Sequence, residues 1–225
     1  MKKVLLGLFA LSTVAMASET NLYLRTGADL YGKYDVISVE GYDVSDEDLD
    51  EFSYEFAVEA TREIYPNLEI GLGVSYQKHG DTETYSVSGS DEESFWNTRY
   101  EIPGYISIPV YLTAKYKFDA INNFIPYVKA NLGYSFNKED GDAKESEKDN
   151  VFGSNTWEYD VELENGLYCG IGAGFEYNNF TMDLMYQVNE AEVKITDKEY
   201  PEDGTLKTNY DYSRITLGFG YKFNF

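Results

Sequence analysis

Hydrophobic residues fall on every second position in eight separate stretches of the chain, and the last stretch shows the pattern most plainly. Between residues 213 and 225, Ile215, Leu217, Phe219, Tyr221, Phe223 and Phe225 alternate with Arg214, Thr216, Gly218, Gly220, Lys222 and Asn224. Side chains of an extended strand point to opposite faces in turn, so this segment has one apolar face and one polar or glycine face. The first stretch, from Asn21, sets Leu22, Leu24, Thr26, Ala28 and Leu30 against Tyr23, Arg25, Gly27, Asp29 and Tyr31. The second, 52–64, sets Phe52, Tyr54, Phe56, Val58 and Ala60 against Ser53, Glu55, Ala57, Glu59 and Thr61. The third carries Leu68, Ile70, Leu72, Val74 and Tyr76 on its apolar side. In 105–118 and 125–136 the apolar sides run from Ile106 to Phe118 and from Val128 to Phe136. In 166–177 Leu167, Cys169, Ile171, Ala173, Phe175 and Tyr177 oppose a run of glycines, and Phe180 to Val188 forms the seventh.

Short and long connections alternate. Tyr65-Pro66-Asn67, Asn122-Asn123 and Asn178-Asn179 have the chemistry of tight turns. The other connections, 34–51, 79–104, 137–164 and 192–209, are long and read as loops. Pro109 and Pro126 fall inside or near strand starts, and each predicts a bulge or a strand end because proline removes a ladder donor. Strands of about 10–13 residues fit a tilted membrane-spanning strand better than the shorter strands of most soluble sheets.

The pattern predicts an all-β fold: an up-and-down antiparallel eight-stranded transmembrane β-barrel with short periplasmic turns, long extracellular loops and both termini periplasmic. A lipocalin-like barrel would turn the apolar face inward. Here aromatics cluster at both ends of that face: Tyr116, Phe118, Phe175, Tyr177, Phe180, Tyr221, Phe223 and Phe225 at one, and Phe52, Tyr54, Tyr76, Tyr134, Phe136 and Tyr186 at the other. Two such rings suit the two interfaces of a bilayer. Glycines on the opposite face suit a crowded axis. Counting from the short turns puts Arg25, Lys115, Lys129 and Lys222 at one depth, with Glu59, Glu63, Glu69 and Asp183 beside them. The expected lumen is therefore a plug of salt bridges with little room for water.

Composition adds an address. Lys2 and Lys3, the apolar run from Val4 to Val14 and Ala15-Met16-Ala17 read as a secretory signal, so residues 1–17 are the expected leader and 18–225 the barrel domain. That apolar run is too short to span a bilayer as a helix. Mean hydropathy is low, which says little about barrel strands, because their alternation averages out. Cys169 has no intrachain partner and reads as a small apolar side chain on the lipid-facing side. Removing the leader leaves 16 bases against 40 acids, a charge of about −24. Nucleic acid is excluded as a partner, since no basic surface faces phosphates.

Chemistry is sparse. His79 is the single histidine; Asp81 and Ser86 follow it, but no strand carries His and Ser on one lipid-facing side, so no catalytic residue is assigned. The run 46–51 fails as an EF-hand, with Glu51 in the glycine position and Ala57 at the twelfth. Residues 139–149 read as a mobile charged surface loop. No metal or cofactor is expected.

The stretches SIPVYLTAKYKF (107–118) and IPYVKANLGYSF (125–136), with the closing strand, resemble the eight-stranded outer-membrane barrels: OmpA-like N-terminal domains, OmpX and the opacity proteins. The resemblance covers the chain from Ser18 to Phe225. It implies a Gram-negative-type outer membrane, with lipid and lipopolysaccharide around the barrel. It also implies that Tyr221, Phe223 and Phe225 serve as the signal to the barrel assembly machinery. The implied role is non-enzymatic: envelope structure and adhesion through acidic loops to host-surface ligands. A small solute or ion channel is the alternative, and a lipid A-modifying enzyme a distant third.

Overall fold

The computed structural model describes residues 20–34, 38–39, 42–43, 52–81, 85–90, 95–101, 103–151, 153–198 and 205–225. The expected leader and the acidic run 46–51 lie outside the described residues. In chain order the strands are β1 (Thr20–Tyr34), β2 (Ser38–Val39), β3 (Tyr42–Asp43), β4 (Tyr54–Tyr65), β5 (Leu68–Lys78), β6 (Tyr85–Ser90), β7 (Phe95–Glu101) and β8 (Tyr105–Lys117). They continue as β9 (Phe124–Glu139), β10 (Ala143–Asp149), β11 (Gly153–Glu164), β12 (Gly166–Tyr177), β13 (Phe180–Asn189), β14 (Glu192–Asp197), β15 (Thr205–Asn209) and β16 (Tyr212–Asn224).

Eight of these close a barrel in the order β1-β16-β13-β12-β9-β8-β5-β4, with β4 pairing back to β1 and every neighbour antiparallel. The three short turns hold the four non-glycine residues of positive φ among the described residues: Asn67, Asn122, Asn123 and Asn178. Asparagine tolerates the left-handed region, which is why these connections stay this short. The face assignment holds along most of the wall: Leu112, Leu132, Ile171 and Phe219 are exposed outward, while Tyr23, Glu59, Tyr111 and Met185 are buried inside.

Two local expectations are corrected. Tyr31 points outward, because a register shift between Asp29 and Tyr31 puts Leu30 in a bulge and reverses the parity beyond it. A second shift lies between Glu63 and Tyr65 at the periplasmic end of β4. Pro109 marks neither a bulge nor a strand end. The β5–β8 pairs skip it between Val74↔Val110 and Gln77↔Ser107 with the register unchanged, so the missing N–H interrupts the ladder without inserting a residue. Pro126 does sit at a strand start, as the third residue of β9.

The larger correction concerns the loops. Six strands from three of the long connections form a second sheet, ordered β15-β14-β11-β10-β7-β6. That order repeats the barrel order β16-β13-β12-β9-β8-β5, so the wall continues past the membrane on six of its eight strands. The segment expected to be a mobile charged loop is largely β10, paired with β11 on one side and β7 on the other. β11 alternates Trp157, Tyr159, Val161 and Leu163 with Glu158, Asp160, Glu162 and Glu164, a period-two pattern hidden by its charge. Val161, Leu163 and Ile195 pack from this sheet onto a core of Tyr34, Tyr105, Ala191, Val193, Tyr210 and Tyr212 at the barrel mouth.

Candidate functional site: a charged lumen under a tyrosine cap

Inward parity alone decides which side chains meet at the axis, and they sort into three levels. In the middle, Arg25 ion-pairs with Glu55 and holds Asp183 through Nη2 at 2.5 Å and Nε at 2.9 Å. Lys129 reaches Glu59 at 2.5 Å. The Tyr111 hydroxyl donates to Glu59 at 2.8 Å and the Tyr127 hydroxyl to Asp183 at 2.9 Å. Lys115 lies over the rings of Tyr23 and Tyr127, at 3.6 and 4.5 Å from their centroids.

At the periplasmic level, Glu69 accepts from Tyr23 at 2.9 Å, Thr61 at 2.8 Å and Asn21 at 3.1 Å, and pairs with Lys117. Glu176 pairs with Lys222 and lies 3.6 Å from Lys117. At the extracellular level, Arg214 is wholly buried and donates to Glu55 at 2.6 Å and to Gln187 at 2.9 Å, with Asp29 at 3.5 Å. Six bases (Arg25, Lys115, Lys117, Lys129, Arg214, Lys222) thus face six acids (Asp29, Glu55, Glu59, Glu69, Glu176, Asp183) in one packed column. Desolvating a charge is expensive, and close pairing with added hydrogen bonds offsets that cost.

The residues expected at one depth are distributed over these levels. Arg25, Glu59, Lys129 and Asp183 come together. Glu69 and Lys222 lie deeper toward the periplasm, linked through Lys117 and Glu176, and Lys115 contacts rings rather than a carboxylate. Glu63 is corrected: it keeps its pairing with Glu69 but lies at the exposed end of β4, with its carboxylate accepting from the Asn67 N–H at 3.3 Å. Asp29, Glu55, Lys117, Glu176 and Arg214 are additional members. All share the inward parity of their strands, which is the signal that identifies them.

Above the column, a cap closes the mouth. Tyr34 stacks on Tyr210 at 4.4 Å between centroids, and Tyr105 and Tyr212 lean against them. His79 is buried beneath, 4.2 Å from the Tyr212 ring and 4.6 Å from that of Tyr105. Its Nε2 lies 3.0 Å from Ser107 Oγ, which donates to Asn137 at 2.8 Å. Asp81 instead accepts the Gly104 N–H at 2.8 Å, and Ser86 is exposed, so these three residues form no triad. On the sheet outside the membrane, the hydrogen bond from Lys194 holds the Glu164 carboxyl below the usual carboxylate range. Among the described residues, no group of three or more His, Cys, Asp or Glu is placed to hold a metal ion.

At the other end of the wall the outward aromatics expected in the assembly signal pack on one another. Tyr221 contacts Phe180 at 5.1 Å and Phe223 at 4.8 Å, and the Phe225 N–H donates to Thr20 at 3.1 Å.

The chain is similar to an uncharacterized protein of Pasteurella multocida (strain Pm70), 26% identical over 238 residues, covering 99% of this chain and 98% of the relative. Among solved structures it is similar to the outer membrane protein OprG from Pseudomonas aeruginosa, at 15% identity and TM-score 0.47, covering 92% of this chain and 96% of that one. It is also similar to Ail, the attachment invasion locus protein of Yersinia pestis, at 15% identity and TM-score 0.40, covering 92% of this chain and 100% of that one. The family model of the outer membrane protein beta-barrel domain matches residues 4–223, and the chain belongs to that family.

Proposed function

We propose that this outer-membrane barrel is non-enzymatic and closed, supports envelope structure, and presents its extracellular sheet to partners on other surfaces, including host-surface ligands in adhesion. The observation that carries this reading is the union of the two β-systems: six barrel strands run on into a sheet outside the membrane, while the lumen beneath them is filled by paired charges. Lipid and lipopolysaccharide surround the outward face, and Tyr221, Phe223 and Phe225 engage the assembly machinery.

Replacing β6–β7, β10–β11 and β14–β15 by short turns is expected to leave a barrel that still shows a heat-dependent shift in SDS gels. Adhesion to host surfaces should be lost, and adhesion at the full-length level would sink the display role. The channel alternative is separated by conductance. Reconstituted in planar bilayers, the protein is expected to give no steady high-conductance steps, because an eight-stranded lumen is filled by its own side chains.

A further inference from the structure

His79, the single histidine of the chain, lies just beyond the end of β5 in the barrel mouth and takes no part in the lumen column. Its hydrogen-bond network assigns its tautomer. Asn137 Nδ2 donates to the carbonyls of Glu164 and Glu190, which leaves Asn137 Oδ1 to accept from the Ser107 hydroxyl. Ser107 Oγ in turn accepts from His79 Nε2–H, so the other ring nitrogen, Nδ1, is a bare lone pair. That atom is buried and has no hydrogen-bond partner among the described residues.

Charging the ring would put a proton on Nδ1, where it meets no acceptor. The surroundings add to the cost. Tyr105 of β8 and Tyr212 of β16 press their rings against the imidazole, and Arg214, the next inward residue of β16, is a second cation. From β1 and β4, the carboxylates of Asp29 and Glu55 face Arg214. On the histidine's own segment, Asp81 accepts the Gly104 N–H and Lys78 pairs with Asp140. Asp211, beside the cap, accepts the Ala191 N–H, and the phenols of Tyr34 and Tyr210 are neutral. Burial first, and Arg214 second, hold the imidazole well below its ordinary range.

The histidine also stands at a joint. Its N–H donates to the Tyr105 carbonyl at 3.0 Å, while Gly80 donates to Ser53 Oγ and accepts from the Tyr34 hydroxyl, both at 2.8 Å. The tyrosines held in this way are the seat on which Val161, Leu163 and Ile195 of the extracellular sheet pack.

We propose that His79 is an acid-sensitive latch: neutral, it lets the tyrosine cap close; protonated, it forces the cap open and unseats the extracellular sheet. An opened mouth admits water to the ring and restores its ordinary basicity, about 6.5. The closed form is therefore fully stable above that pH. Below it, closure weakens by about tenfold for each unit of pH. The proposal concerns the seat of the sheet and stands whether or not the sheet binds host surfaces.

Hydrogen exchange of the full chain, free of any histidine tag, in lipid nanodiscs tests it, with each pH corrected for its intrinsic exchange rate. The amides of His79, Gly80 and Tyr210, hydrogen-bonded to Tyr105, Ser53 and Ala191, report the cap. Their protection is expected to fall about 30-fold between about pH 6.5 and about pH 5, while the amides of the β12–β13 ladder keep theirs. His79→Gln keeps a donor for Ser107 and carries no titrating group, so it should abolish the fall; its heat-dependent gel shift shows that the barrel is folded. Ring NMR signals of the sole histidine give a second reading in the wild type, with protonation expected to rise in step with the loss of protection. Three results would overturn the proposal: protection unchanged at about pH 5, an equal fall in His79→Gln, or an imidazole titrating at about 6.5 beneath a protected cap.

Discussion

Arg25→Leu is expected to destabilise the barrel by about 3–5 kcal/mol, the usual cost of breaking a buried ion pair from one side. The guanidinium contacts both Glu55 and Asp183 at the centre of the lumen, where all three side chains are almost fully shielded from solvent. Its removal leaves Asp183 with the Tyr127 hydroxyl as its hydrogen-bond donor among the side chains of the described residues, while Glu55 keeps Arg214. Urea unfolding in lipid vesicles, followed by the heat-dependent gel shift of the barrel, measures the loss. The sign of a second variant separates charge from packing. Arg25→Leu/Asp183→Leu removes both members of the pair and should recover most of the stability, since apolar replacement of a whole buried pair is often neutral or better. If the double variant is as unstable as the single one, side-chain packing rather than charge governs the lumen.

Gly133→Ala is expected to cost about 1–3 kcal/mol, whereas Gly170→Ala should be close to neutral. A Cβ on Gly133 would come within 2.2 Å of the Val110 carbonyl oxygen and 2.5 Å of Tyr111 Cα, both backbone atoms of β8, so the two strands would have to part. At Gly170 the nearest atoms are side-chain carbons of Gln187 and Met185 at 3.5 Å, an ordinary contact. The same unfolding measurement on both variants checks the contrast. A barrel that tolerates Gly133→Ala as readily as Gly170→Ala would show that β8 and β9 can separate freely.

Much of this architecture is legible in the chain itself. A period of two fixes which side chains face lipid, and the three asparagine turns fix which strands are neighbours. These suffice to assemble Arg25, Glu59, Lys129 and Asp183 at the axis. What escapes is whatever breaks strict alternation or disguises it. Leu30 sits at a bulge, and a bulge reverses the parity of all that follows: hence Tyr31 outward. Glu63 keeps its parity but lies past the packed end of the lumen, beside the turn. β10 and β11 escape for another reason. Their alternation sets charge against charge or charge against aromatic, with Lys144, Ser146 and Lys148 opposite Glu145, Glu147 and Asp149, so composition argues for a loop while pairing makes a strand. Arg214 and Glu55 follow the inward parity and needed only to be counted with the rest.

The balance of the lumen column determines where this protein is electrically visible. Twelve ionised side chains cancel among themselves along the axis, so the surplus of acids belongs to the parts bathed in water. Counter-ions condense there, and the repulsion felt by an approaching anionic surface reaches only about 8 Å at physiological ionic strength. Dilution of the medium would extend that reach and keep such surfaces apart, whereas brackish conditions would let them touch.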